Sequence, residues 1–233
     1  AVAHLVLQRT KFGRYTYAIG GNEEASLLSG VPVRLYKIGI YAVCGGLAAL
    51  SSVLLTARLN SAQPIAGLSY ELDAIAASEA IRVVVIAGAG KAFCAGHDLK
   101  EMRGNHSKEF MQALFKQCGE LMLTITQMPQ PVIARVHGIA TAAGCQLVSM
   151  CDLAVAADVA KFAVSGINVG LFCSTPAVGL ARNLGRKAAL EMLLTGEFID
   201  ALEAKAKGLV NRVVPADALD AEIERLAGSI LAK

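Results

Sequence analysis

The chain has 233 residues, of which 55% are hydrophobic and 18% charged, with a mean hydropathy of +0.51; an ordinary soluble domain is about 45–50% apolar and about 25% charged. This composition excludes disorder, and a chain of this length buries enough surface to fold without a disulfide or metal staple. The net charge of +3, with no long Lys/Arg run, leaves no electrostatic footprint for nucleic acid. The six cysteines (Cys44, Cys94, Cys118, Cys145, Cys151, Cys173) show no C-x-x-C spacing, and none of the four histidines is paired with another at metal-ligand spacing. They read as buried thiols of a reducing compartment. The first residues lack the order of a secretory signal.

In chain order, Ile38 to Ala57 is a charge-free stretch bracketed by Arg34 and Lys37 before it and Arg58 after it. It is long enough to cross a bilayer as a helix, while Gly45, Gly46, Ser51 and Ser52 suit a buried core helix as well. A spanning orientation set by Arg9, Lys11, Arg14, Arg34 and Lys37 would put everything after Arg58 outside the cell. From Ser78 the pattern changes. Ile81–Ala87, Val132–Val136 and Leu153–Ala157 are apolar runs of the kind that form strands buried on both faces. Lys108–Gln127 has helical apolar spacing and ends before Pro129; Lys187–Leu194, Ala201–Gly208 and Ala218–Leu231 also read as helices, and Leu209–Val214 as a strand. The alternation makes the fold class α/β.

Two loops carry the candidate chemistry. In GAGKAFCAGHDLKEM, Asp98 followed by Glu101 suits a helix start, and the spacing is neither a P-loop nor a dinucleotide fingerprint. In HGIATAAGCQLVSMCD, the small residues from Ala140 to Gly144 open a helix. The backbone N–H groups there and at Gly96–His97 can aim at one oxyanion; the same small side chains also serve close helix–strand packing, and spacing does not choose between the two.

FCAGHDLKEM, PVIARVHGIATAAGCQLVSMCDLAVAA, FAVSGINVGLF and LTGEFIDALEAKAKGLVNRVV resemble the crotonase (enoyl-CoA hydratase/isomerase) superfamily over about residues 71–233. The resemblance implies a spiral of ββα units and an acyl- or enoyl-CoA thioester as partner, with CoA entering only as part of the substrate and no permanently bound cofactor. It implies an oxyanion hole formed by the backbone of His97 and Ala143, flanked by Ala95, Gly96, Asp98 and Leu99 as binding residues, and assembly as a homo-oligomer, a trimer or hexamer. Gln146 and Gly166 stand where hydratases of the family carry glutamates. Glutamine exchanges no proton near neutral pH and glycine has no side chain, so hydration lacks an evident acid–base agent. The His97 imidazole is an alternative, and Ser165, Asn168, Cys173, Ser174 and Thr175 are candidates to orient a substrate. An enoyl-CoA hydratase-like lyase, if active, and a noncatalytic CoA-thioester-binding protein are both open.

Residues 1–76, with TKFGRYTYAIGGNEEASLLSGVPV, resemble the membrane permease of ribose-type sugar ABC transporters, so the sequence reads as a fusion of a hydrophobic N-terminal region, 1–76, with a crotonase-like module, 77–233. The module lacks the family's usual first strand and stops before its last helices. The resemblance leaves a membrane-anchored sugar ABC transporter permease fragment as an alternative function; the expected location is cytoplasmic, with inner-membrane association through Ile38–Ala57 as the alternative. A CoA-dependent module stranded outside the cell would lack its substrate, so Ile38–Ala57 is expected to be covered by protein rather than to span.

Overall fold

The computed structural model describes residues 2–59 and 70–233, and the chain divides into two compact units, Ala1–Ala66 and Gly67–Lys233. The first unit is helical: α1 (Val2–Arg9), α2 (Lys11–Gly21), α3 (Glu23–Leu28) and α4 (Val33–Leu59). Side-chain caps begin two of these helices. The Thr10 hydroxyl accepts from Gly13 N at 3.2 Å, and Asn22 Oδ1 accepts from Ala25 N at 2.9 Å, each satisfying one of the free donors of a first turn. Ile19, Val31 and Val33 form a small core against Tyr15 and Tyr36. Tyr36 also stacks on Phe12 and meets Tyr15 edge-on, and Lys37 pairs with Glu23 at 2.7 Å.

Among the described side chains, the first part of the apolar stretch in α4 is exposed and not covered as expected. Ile38, Tyr41, Val43 and Leu47 are each more than half exposed. Among the described residues no helix is long and apolar enough to cross a membrane; the side chains at positions 50–57 lie outside the described residues, as does the junction at 60–69.

The second unit opens with α5 (Tyr70–Ala76), seven residues before the module start at 77 expected from sequence. The Gln130 amide ties its end down, donating to the carbonyls of Ile75 at 3.1 Å and Ser78 at 3.0 Å. A strand pair followed by helix then repeats. β1 (Val84–Ala87) and β2 (Ala92–Cys94) precede α6 (Leu99–Gly104) and α7 (Lys108–Gln127). β3 (Val132–Val136) and β4 (Ile139–Thr141) precede α8 (Ala143–Met150). β5 (Leu153–Ala157) and β6 (Lys161–Ala163) precede a 3₁₀ turn, Ser165–Val169, then α9 (Ser174–Asn183) and α10 (Arg186–Thr195). β7 (Ile199–Asp200), α11 (Ala201–Lys207), β8 (Arg212–Val214) and α12 (Leu219–Leu231) follow.

The first strand of each pair enters one sheet, ordered β1-β3-β5-β8 and parallel throughout; the second enters another, ordered β2-β4-β6-β7, parallel except for the last pairing. The chain therefore winds through two sheets at once. The main core lies among these sheets and α8, α9 and α10, with Ile125, Val148, Phe162, Leu180 and Met192 at its centre. A second cluster, Ile133, Val155, Leu219 and Ile223, seals α12 to the parallel sheet.

The strands at 132–136 and 153–157 and the helix at 108–127 form as the sequence reading expects. Ile81–Ala87 does not stay paired over its length or buried on both faces. Pairing begins at Val84, opposite Val132, and Val85 is 39% exposed, because β1 lies at the edge of the sheet and has a partner on one side only.

Candidate functional site

The loop after β2 and the turn after β4 meet because glycine permits it. Gly96 has φ +88, and a Cβ there would lie 3.0 Å from Ala142 Cβ and 3.2 Å from Ala143 N. Any larger residue would push the His97 loop away from the helix start. Ala142, the N-cap of α8, has φ +52 and ψ −120 and is the one non-glycine residue with positive φ among those described. It is held from both sides: its N–H donates to Ala163 O at 3.0 Å, and its carbonyl accepts from Gln146 N at 3.1 Å. Ala143 is the first residue of α8, so its N–H has no partner within the helix. Gly144 follows with the Cys94 carbonyl lying where its Cβ would be, which seats α8 directly on β2.

A cavity of about 350 Å³ opens over this junction. His97, Ala142 and Ala143 contribute to its lining with Ala95, Leu99, Met102 and Phe115 on one side, and Ser165, Gly166, Val169, Leu171, Phe172, Cys173, Ser174, Thr175 and Pro176 on the other. No Asp or Glu lines it among the described residues. A second cavity of about 410 Å³ shares His97 and Ala143 and adds Gly96, Leu72, Cys94, Cys118 and one carboxylate, Glu71.

Of the residues singled out from sequence, Ala95, His97, Leu99, Ala143 and Gly166 come together on the first cavity, and Gly96 on the second. Asp98 serves α6 instead, its carboxylate accepting from Lys100 N at 2.8 Å and Glu101 N at 3.3 Å. Gln146 lies one turn beyond Ala143, 3% exposed, with Oε1 buried and unpartnered and the side chain in neither cavity lining. Asn168 turns away, its amide reaching Gly196 O at 3.5 Å, whereas Ser165 Oγ stands 3.0 Å from Thr141 Oγ1. Gly166 is held to glycine by close approach: a Cβ there would lie 2.5 Å from Leu171 O and 2.6 Å from Cys173 Sγ. Restoring a carboxylate at 166 therefore requires the 171–173 backbone to move.

Burial lowers the pKa of His97, against a smaller opposing pull from Glu101, and the ring meets Phe115 edge-on with centroids 5.3 Å apart. The neutral imidazole is thus the favoured form in this apolar setting. Burial pushes the Cys145 and Cys151 thiols up to about 12, which makes them core groups. Among the described residues no cluster of His, Cys, Asp or Glu is arranged to hold a metal ion. Sequence reasoning missed Glu71 and the wall at Met102 and Phe115, whose helical spacing marks an apolar face without saying what the face encloses.

Strand pairs feeding two sheets, each pair followed by helix, with a cavity at a helix start beside the strand ends, define an α/β spiral of the crotonase class. Residues 60–233 match the family described as enoyl-CoA hydratase/isomerase, and the chain belongs to that family. It is 51% identical to enoyl-CoA hydratase domain-containing protein 3, mitochondrial, from Rattus norvegicus over 155 residues, 66% of this chain and 52% of the relative. The chain spans about half the length of the curated relatives it matches. Among solved structures, an enoyl-CoA hydratase of Mycobacterium smegmatis superposes with a TM-score of 0.71 at 63% identity, covering 72% of this chain and 66% of that one. The human enoyl-CoA hydratase domain-containing protein 3 gives 0.66 at 46%, covering 70% and 67%. Residues 1–96 match a different family, described as a branched-chain amino acid transport system permease component.

Proposed function

We propose that the second unit binds an acyl- or enoyl-CoA thioester in the 350 Å³ cavity, with the thioester oxygen between the N–H groups of His97 and Ala143. The observation that supports this reading is that residues His97 and Ala143 line one apolar cavity, brought together by the Gly96–Ala142 contact; donors fixed before a ligand arrives stabilise developing negative charge. The orphaned Gln146 Oε1, one turn below, marks a polar group awaiting a donor. Among the described residues no carboxylate lines this cavity, so the His97 imidazole is the base left to activate water, and hydration of a short enoyl-CoA is slow or absent. The same observation favours a second reading, a noncatalytic thioester-binding protein. Self-association belongs to this proposal as well: Val169, Leu194, Phe198 and Leu202 are each more than half exposed and give an apolar surface of the kind that copies bury.

The test is calorimetric titration with butyryl-CoA, alongside loss of enoyl absorbance with crotonyl-CoA. Wild type and His97→Ala are expected to bind alike. Ala143→Pro deletes a donor at a helix position where proline is tolerated, so it should weaken any thioester reaction that uses the pair by about 3 kcal/mol. Loss of binding in folded His97→Ala, or robust crotonyl-CoA hydration by the wild type, would overturn the reading.

A further inference from the structure

We propose that Cys173 is a nucleophile of this cavity, adding its sulfur to the β-carbon of a bound enoyl thioester and holding the ligand as a covalent thioether. The proposal rests on the thioester-binding reading and goes beyond it. Its starting point is the space at Gly166. The Cys173 sulfur lies 2.6 Å from where a Cβ at 166 would be, so a thiol fills the volume into which a side chain from that position would extend. Cys173 is 8% exposed, and what it faces is the cavity that also holds His97 and Ala143. It is the N-cap of the ten-residue α9, yet its side chain makes no capping hydrogen bond.

The other thiols are placed differently. Cys145 and Cys151 line neither cavity described above, Cys94 and Cys118 open on the second cavity, and Cys44 belongs to the first unit. Two backbone donors on the thioester oxygen draw electron density from the conjugated double bond, which makes the β-carbon electrophilic towards a soft, polarisable nucleophile. No Asp or Glu lines that cavity among the described residues, and the Cys173 sulfur is a softer, stronger nucleophile than the Ser165, Ser174 and Thr175 hydroxyls beside it.

The step balances without a co-reactant. A sulfur–carbon bond forms at the β-carbon as the π bond opens, and the displaced electron pair reaches the thioester oxygen as an enolate held by the two N–H groups. The proton released by the thiol ends on the α-carbon. The bond to CoA is not broken, so the whole enoyl-CoA is retained on the chain.

Intact-mass and peptide analysis of the full chain after incubation with crotonyl-CoA tests this, with free CoA quantified by chromatography and butyryl-CoA binding measured by calorimetry. The expected result is one adduct with the mass of entire crotonyl-CoA on the Cys173 peptide, none with saturated butyryl-CoA, and at least about a tenfold loss of adduct in Cys173→Ser, which replaces the sulfur nucleophile with a weaker oxygen one. Cys173→Ser and Cys173→Ala should melt near the parent, and Cys44→Ser, at a thiol that lines neither cavity, should bind butyryl-CoA and form the crotonyl adduct as the wild type does. Butyryl-CoA binding without a crotonyl adduct would overturn the nucleophile and leave the binding reading standing, while absence of butyryl-CoA binding would overturn both. An adduct on Cys94 or Cys118, or a crotonyl group alone with release of free CoA, would also refute it.

Discussion

The two units solve the burial problem in opposite ways. Residues 67–233 bury whole strands: Val132, Ile133, Ala134 and Val136 are all at zero exposure, and Phe162 and Leu180 are likewise fully enclosed. In residues 1–66 the described core amounts to Ile19, Val31 and Val33, while Leu28, Leu35 and Tyr41 remain largely exposed. Its helices rely on local devices, the Thr10 and Asn22 caps, the Tyr36 ring contacts and the Lys37–Glu23 pair. Such contacts contribute about 1 kcal/mol or less each, whereas each fully buried large side chain contributes about 1.5–3 kcal/mol. Among the described residues, burial is therefore concentrated in the second unit.

The sharpest way to break that comparison is a core truncation. Phe162→Ala removes a fully buried ring from β6 and should cost the second unit about 3–5 kcal/mol, read as a lower denaturant midpoint for its transition; a loss under 1 kcal/mol would mean that the core is not where its stability lies. Next, Gly144→Ala forces a methyl into the Cys94 carbonyl and should cost about 1–3 kcal/mol through displacement of α8 from β2. Gly45→Ala in α4, where nothing lies within 4 Å of the added atom, should instead stabilise the first unit by up to about 1 kcal/mol. Calorimetric scans of both variants check the opposite signs.

A finer contrast uses matched caps. Asn22→Ala in the first unit and Ser107→Ala, which removes the cap on Phe110 N at 3.1 Å, should each cost about 1 kcal/mol. Hydrogen exchange should show measurable opening of residues 23–28 in the first case and little change across α7 in the second, since the tertiary packing of α7 masks an equal local loss. The smallest effect is electrostatic. Arg225 and then Arg212 hold the Glu222 carboxyl down at about 2, from an ordinary 4.5. A carboxylate whose folded pKa is depressed contributes stability above its unfolded pKa and loses it as pH falls. Glu222→Gln should thus melt below wild type above pH 4.5, with the gap closing as pH approaches 2. A gap independent of pH would remove the ion pairs from the account.

The parts of the fold legible in sequence were those with long signals. Val132–Val136 and Leu153–Ala157 are unbroken apolar runs, and Lys108–Gln127 carries a clear helical period between Ser107 and Pro129. The second sheet was not legible, because β2, β4, β6 and β7 have two or three residues each, too few for any period to register. The helix α9 was hidden by its own packing. Gly179 and Pro176 lower its apparent propensity, yet the glycine is what lets α9 lie against Ser149 of α8. At the candidate site the sequence identified the loop and the helix start, but not that Gly166 is confined by Leu171 and Cys173; that constraint comes from residues five and seven positions away folding back on a turn.

Ala142 has a further consequence. Glycine would adopt its backbone angles freely, whereas alanine does so at a conformational cost of about 1–3 kcal/mol, sustained by the bonds to Ala163 and Gln146. A methyl group at this position removes the many alternative paths a glycine turn could sample, so the entropy of ordering the turn is spent during folding and not at the moment of binding. The turn at the candidate site is in that sense annealed in advance, with a finished shape and little freedom to adapt.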